Sequence, residues 1–290
     1  MPVSTTIVEG GFGMSVPDHG LLACVLDDHA FDPTYDWTLD PEVGSHGDAD
    51  GTSLRLRHYH QHLWSGRPLA GCPGGQGLIL GAAEYGLIDS ALSQDFFGNG
   101  EGLYLASDRA MATWWNWSEP VTRTLLADPG LYGRVLAANP VLDNLGGIVM
   151  WPRRALGGPS INQARGSARK ATIADRLDLT VECIRRYYDG ERDSDRNPLG
   201  PDFVRYERFF DLFADFGGYV DFWLLQDLVT EDGNGVALFL GAKSRTYDFA
   251  ASSPYPDSVR AYDEYLTKAQ EFVLKRNARM SALWRELALG

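Results

Sequence analysis

Basic residues are scarce at the start of this 290-residue chain, where none precedes Arg55. Over the whole sequence 26 Lys and Arg stand against 39 Asp and Glu, a formal net charge of −13. Sequence-independent binding of duplex nucleic acid needs a basic face, so the balance argues against it. The arginine-rich run from Arg153 to Arg208 leaves room only for a local basic groove. The three cysteines (Cys24, Cys72, Cys183) show no C-x-x-C spacing, which excludes a disulfide framework and points to a reducing, cytoplasmic setting. No run approaches the ~20 apolar residues that span a bilayer. The first residues lack the basic and apolar regions of a secretory leader. Internal repeats and low-complexity tracts are also missing. What remains, 44% hydrophobic residues with eight tryptophans, suits a globular chain with a real core.

The stretch Ser160–Tyr188, SINQARGSARKATIADRLDLTVECIRRYY, is the one around which the rest is organised. Thr172 with Asp175 three residues on reads as a capping-box-like helix start, and Asp189-Gly190 as its stop. Ile173, Leu177, Val181, Ile184 and Tyr188 form one apolar stripe, and Leu179, Cys183 and Tyr187 a second, so the helix is expected to be largely buried. Arg176 falls between the stripes and needs a carboxylate, phosphate or carbonyl partner. Asp175, Asp178 and Glu182, flanked by Arg185 and Arg186, read as a solvated strip of ion pairs. Before the helix, Gly157-Gly158-Pro159 breaks the chain, and Asn162, Gln163, Arg165, Arg169 and Lys170 follow. Such groups at a helix N-terminus suit phosphate or carboxylate, although neither a P-loop nor a dinucleotide glycine spacing is present.

Other stretches supply further candidates. Ser53 should cap a helix over SLRLRHYHQHLWSG, in which His58 and His62 are i,i+4 neighbours; the same letters also read as a strand with His58, His60 and His62 on one side. No third metal ligand follows at a diagnostic spacing, so no metal site is assigned. Asp48-Ala49-Asp50-Gly51 is a fragment of a calcium loop without the distal glutamate and reads as a solvated turn. Gly102–Asp108 and Gly147–Trp151 read as strands, Tyr85–Leu92 as a short helix, and Thr122–Ala138 as helical around Pro129-Gly130. Trp114, Trp115 and Trp117 are core or interface anchors, with base stacking as the alternative. Pro201 should start a helix that Gly217-Gly218 ends, and the run from Tyr219 reads either as a hairpin turned at Glu231–Gly235 or, in its first piece, as a buried helix leading into that turn. Asp221, Gln226 and Asp227 lie in strongly apolar sequence, so Asp221 or Asp227 is expected to pair with Arg176 or Arg165. Asp257 begins a long amphipathic helix to about Leu287, which packs on the body or forms a homodimer seam.

Short resemblances accompany these patterns. Arg57 to His62 fits R-x4-H, which resembles the active-site motif of HEPN ribonucleases. GEGLYLASDRAMATWW is faintly similar to the middle motif of ADP-ribosyltransferase folds, whose later glutamate has no clear counterpart here. A longer resemblance runs from Phe31 to about Asn277, through FDPTYDW, LRHYHQHLWSGRPL, LYLASD, SINQARG, IADRLDLTVECIRRYY and DFGGYVDFWLLQDLV. It is to an uncharacterised family, a domain of unknown function of bacteria and some phages. The resemblance implies retained positions at His60, Ser107-Asp108, Asn162-Gln163, Arg165-Gly166, Asp175-Arg176, Asp178, Glu182, Arg185 and Gln226-Asp227. The glycine-rich, tryptophan-containing middle (residues 66–118) is longer than the family pattern.

Together these readings predict a single α+β domain over 1–290: a small, mostly antiparallel sheet packed with several helices, and a long C-terminal helix. The expected function is an enzyme acting on an anionic, nucleotide-like small molecule, an NAD-consuming group transfer being its most specific form. Arg165, Arg176 and Arg185 would hold the anion, Asn162, Gln163 and Gln226 would orient it, and His60, Asp108 or Asp227 would transfer protons. No cofactor is named. The alternatives are a ribonuclease of a phage-defence or toxin system, and a non-catalytic interaction protein whose Arg and Asp residues are internal ion pairs.

Overall fold

Local capping and apolar pattern explain most of the elements in the computed structural model, which describes residues 31–40, 53–72, 77–78, 102–113, 119–154, 160–166, 171–241 and 246–289. The readings made for residues 1–30, the calcium-like fragment, Tyr85–Leu92, Trp114–Trp117, Gly157–Pro159 and Arg169-Lys170 lie outside these residues. Helix α1 (Leu54–Trp64) starts where Ser53 Oγ accepts from the Leu56 amide at 3.0 Å. It buries Leu56, Tyr59, His60, Leu63 and Trp64, so the strand reading of the histidines is set aside. Strand β1 (Leu103–Arg109) precedes α2 (Pro120–Leu125) and α3 (Pro129–Leu142), the latter capped by Asp128 and entered through Pro129. Strand β2 (Ile148–Arg154) pairs antiparallel with β1, placing Asp108 opposite Val149 and Ala106 opposite Trp151. This two-stranded ribbon is the sheet of the described α+β fold.

Helices α4 (Ile161–Arg165), α5 (Leu177–Tyr188), α6 (Gly200–Arg205), α7 (Glu207–Asp211) and α8 (Phe216–Phe222) follow, and α9 (Val259–Leu289) closes the chain. The helix expected from Pro201 is therefore broken into α6 and α7. Gly217-Gly218 does not end it but begins α8, whose first turn is capped by Asp215 through the Gly218 amide at 2.8 Å. A side chain at Gly218 would meet the Phe213 carbonyl oxygen at 2.0 Å, so only glycine admits this entry. The expected hairpin reduces to one bridge, Val229 with Val236. Phe203, Phe209, Phe210, Phe213, Tyr219 and Trp223 pack edge-on or tilted, with neighbouring centroids 4.9–6.5 Å apart. Such pairs contribute about 0.5–1.5 kcal/mol each beyond area burial.

Helix α9 is fastened to the ribbon by two buried side chains. Arg276 donates to the carbonyls of Gly146 (2.9 Å) and Trp223 (3.2 Å) and also to that of Ile148. Asn277 accepts from the Gly146 amide at 2.7 Å and donates to Asn144 at 3.1 Å. Among the described residues, no helix is long and apolar enough to cross a membrane.

Candidate functional site

The site forms where the end of β1, the short α4 and the turn before α5 converge. Ser160 caps α4 by accepting from the Gln163 amide at 3.1 Å, and Arg165 is its last residue. The Arg165 side chain is fully buried. Its Nε donates to Thr180 Oγ1 (3.2 Å), and Nη1 to Asp108 Oδ2 (3.3 Å) and the Arg109 carbonyl (3.4 Å). Nη2 donates to the carbonyls of Ala110 (2.6 Å) and Asp175 (2.8 Å). The five N–H groups of a guanidinium are thereby all engaged. Asp175 Oδ1 adds a second carboxylate 3.5 Å from Nη1, and the Trp151 ring lies 5.2 Å from Cζ. The Trp151 Nε1–H is buried without a hydrogen-bond partner.

The two carboxylates reach outward. Asp108 and Asp175 keep 33% and 41% of their side chains exposed, against 0% for the arginine that holds them. Asp175 is displayed from left-handed backbone, with φ +55° following φ +52° at Ala174. Few non-glycine residues occupy that region, and those that do concentrate at functional sites. Gly166 makes the room: a Cβ there would lie 2.7 Å from Asp175 Oδ1. The helix therefore starts at Leu177, five residues after the expected Thr172 cap. The Asp175 amide donates to the Arg165 carbonyl at 3.2 Å while Arg165 grips the Asp175 carbonyl, and this tertiary pairing outcompetes the local capping box.

Arg176 has a different environment. It is 1% exposed and paired with Asp178, which is 0% exposed. Nε meets Asp178 Oδ1 at 3.1 Å, Nη2 meets Oδ2, and Nη1 donates to the Pro254 carbonyl at 2.8 Å. The Phe239 amide completes the carboxylate at 2.8 Å. Neither Asp221 nor Asp227 is the partner of Arg176 or Arg165, contrary to the sequence expectation: Asp227 accepts from Arg279 at 2.7 Å and Asp221 from Gln226 Nε2 at 3.1 Å. Of the strip expected to be solvated, Asp178 and Glu182 are closed in beneath Pro254, Phe239 and Tyr247, and only Asp175 stays partly open. Glu182 is 0% exposed and takes Arg185 (2.8 and 2.9 Å) and Arg186 (2.7 Å). Arg185 also pairs with Asp189.

The remaining candidates are dispersed. Asn162 is half-buried and Gln163 exposed on α4, one turn or less from Arg165. Gln226 Oε1 is buried without a partner. His60 is wholly buried, and burial together with nearby Arg276 pulls its pKa down to about 3; a neutral, enclosed imidazole is a poor proton shuttle to a substrate. Of the proposed catalytic set, the structure thus brings only Asp108 to the converging centre. Asp175, the second partly exposed carboxylate, was legible in the sequence as a helix cap, a member of the ion-paired strip and a retained position, but not as a site residue. Burial raises the pKa of Tyr255, and the nearby charges of Glu119 and Asp175 add to it. Among the described residues no group of three or more His, Cys, Asp or Glu is placed to hold a metal ion.

Comparison with known proteins adds one finding: a model of a family of unknown function (DUF6994) matches residues 29–280. Neither the curated proteins nor the solved structures yield a match.

Proposed function

The chain belongs to that family of unknown function, and from its site we propose an enzyme that acts by proton transfer on a small molecule bearing hydroxyl or amino groups, such as the nucleoside part of a nucleotide. The observation that carries this reading is the pair Asp108 and Asp175. Two carboxylates from distant parts of the sequence are fixed on one buried arginine and keep their outer edges in solvent. Carboxylates so held accept hydrogen bonds from hydroxyl or amino groups and supply a base at a fixed position. The trio Asp108, Arg165 and Asp175 carries one net negative charge, and Arg165 has no donor left over. That trio by itself therefore disfavours a phosphate, and in this reading Arg165 positions the two carboxylates instead of gripping an anion.

The test is a thermal-shift and calorimetric screen of the full chain against nucleosides, sugars, polyols and amines, with inorganic phosphate alongside. A hydroxyl- or amino-bearing compound should raise Tm by a few degrees, as expected for ligand at about 100 times Kd. Asp108→Asn and Asp175→Asn should each abolish the shift, and phosphate should give none. A panel without any response, or shifts that survive in both variants, would sink the reading. The closure of Arg176, Arg185 and Arg186 onto protein carboxylates favours the second reading, a non-catalytic interaction protein. Under that reading the same screen is silent, and the partner surface includes exposed Val121, Tyr132 and Leu136 on α2 and α3.

A further inference from the structure

Arg109 follows Asp108 in β1 and pairs in register with Ile148, so its side chain leaves the opposite face of the ribbon from Asp108. Nε lies 3.1 Å from Asp143 Oδ1. Nη2 donates to Asn139 Oδ1 at 2.9 Å, and the same oxygen accepts from Thr113 Oγ1 at 3.0 Å. One amide oxygen of α3 thus gathers both ends of the segment Arg109–Thr113, which also supplies the Arg109 and Ala110 carbonyls to Arg165.

The Asp143 half of this junction is poorly suited to hold a charge. It is the C-cap of the 14-residue α3, where unpaired carbonyls place the negative end of the helix dipole. Its side chain is only 14% exposed. Asp36, the N-cap of the turn Trp37–Leu39, adds a second carboxylate nearby, and Arg109 is the cation that opposes it. That cation binds imperfectly, since Arg109 Nε–H makes no aligned hydrogen bond despite the 3.1 Å approach.

We propose that Asp143 and Arg109 form a proton-operated latch tying the end of β1 to the C-terminus of α3. With Asp143 ionised, the ion pair fixes the Arg109 side chain. When the Asp143 carboxylate takes a proton from water it becomes a neutral acid, and Arg109, still charged, is left with Asn139 alone. Burial is the largest cause lifting the Asp143 carboxyl, with Asp36 adding to it and Arg109 opposing, and the result is a pKa pushed up to about 6. The sign follows from linkage: a raised carboxyl binds its proton more tightly in the folded chain. Its stabilising contribution is full below the unfolded value of 3.8 and is lost as pH rises through about 6. Latching therefore fixes one side chain while it lowers global stability, two effects of opposite sign on one titration.

The test uses the full chain. A carboxyl carbon NMR titration of Asp143 should show a midpoint near 6; a midpoint near 4 would overturn the latch, and this measurement needs no variant. Asp36→Asn should move that midpoint down. Denaturant unfolding between pH 4 and 7.5 should show the folding constant of the wild type falling about 100-fold relative to Asp143→Asn, the ratio set by roughly two pKa units. The Arg109 Nε–H order parameter should be high at pH 7.5 and low at pH 5 in the wild type, and low at both in Asp143→Asn. Arg109 order that does not change through the titration would also overturn it. None of these readings depends on ligand binding by Asp108, so failure of the latch and failure of the proposed function are separable.

Discussion

Arg165 and Arg176 are both enclosed, yet they anchor regions of opposite character. The Arg176 region is sealed: its carboxylate, Asp178, has no exposed surface and also receives the Phe239 amide. The Arg165 region is sealed only behind, since the two carboxylates it holds remain one-third to two-fifths exposed. A buried arginine is therefore no indicator of a site; the exposure of its partner is what separates internal pairing from chemistry offered to a ligand.

Substitutions can break this comparison, beginning with the largest effect. Arg176→Met strands an ionised Asp178 in the core and should destabilise the chain by about 3–5 kcal/mol in denaturant unfolding. Adding Asp178→Leu should recover part of that loss but leave the Phe239 amide unpaired. Acidification probes the closed interior at His60. Its folded pKa, about 3, is depressed below 6.5, so its contribution is full above pH 6.5 and lost as pH falls toward 3. Stability should decline by about 3 kcal/mol between pH 6.5 and 4 from this group. A pH series that corrects for the opposite slope of Asp143 measures it.

Arg165→Met should cost less than Arg176→Met, about 2–3 kcal/mol, because Asp108 and Asp175 can rehydrate and the loss is chiefly that of donors to the Ala110 and Asp175 carbonyls. Equal losses in the two variants would erase the distinction between open and closed regions. Gly166→Ala pushes a methyl group against Asp175 Oδ1 and should cost about 1–2 kcal/mol while abolishing any ligand-induced rise in Tm. The smallest effect sharpens the comparison: Asp175→Gly relieves left-handed backbone and should change stability by about 1 kcal/mol or less, yet remove ligand response. A larger loss would show that Asp175 serves the fold.

The chain showed several of its helices and both strands through local patterns: the Ser53 cap, the apolar run at Gly147–Trp151, and the amphipathic period of the last helix, whereas α4 and the break between α6, α7 and α8 left no such mark. It hid the start of α5, because the Thr172 cap is overruled by hydrogen bonds between Asp175 and Arg165, ten residues apart. It hid the closure of Glu182 and Asp178, because the covering residues come from 239–254. Asp108 was recognisable as a polar end to a strand. Asp143 and Arg109 carry no spacing signal, since their pairing depends on where α3 ends. Arg276 did leave a trace, an arginine between Val273 and Met280 in the apolar stripe of the last helix.

The left-handed backbone at 175 also restricts which residue can stand there. Left-handed geometry is tolerated among side-chain-bearing residues chiefly by Asn and Asp, and of these only aspartate can be an anion. Glutamate would be too long for the space beside residue 166 and strained in the main chain, so even a swap that keeps the charge is disallowed. A library sampling all amino acids at position 175 should therefore return aspartate when selected for activity, and glycine or asparagine when selected only for folding.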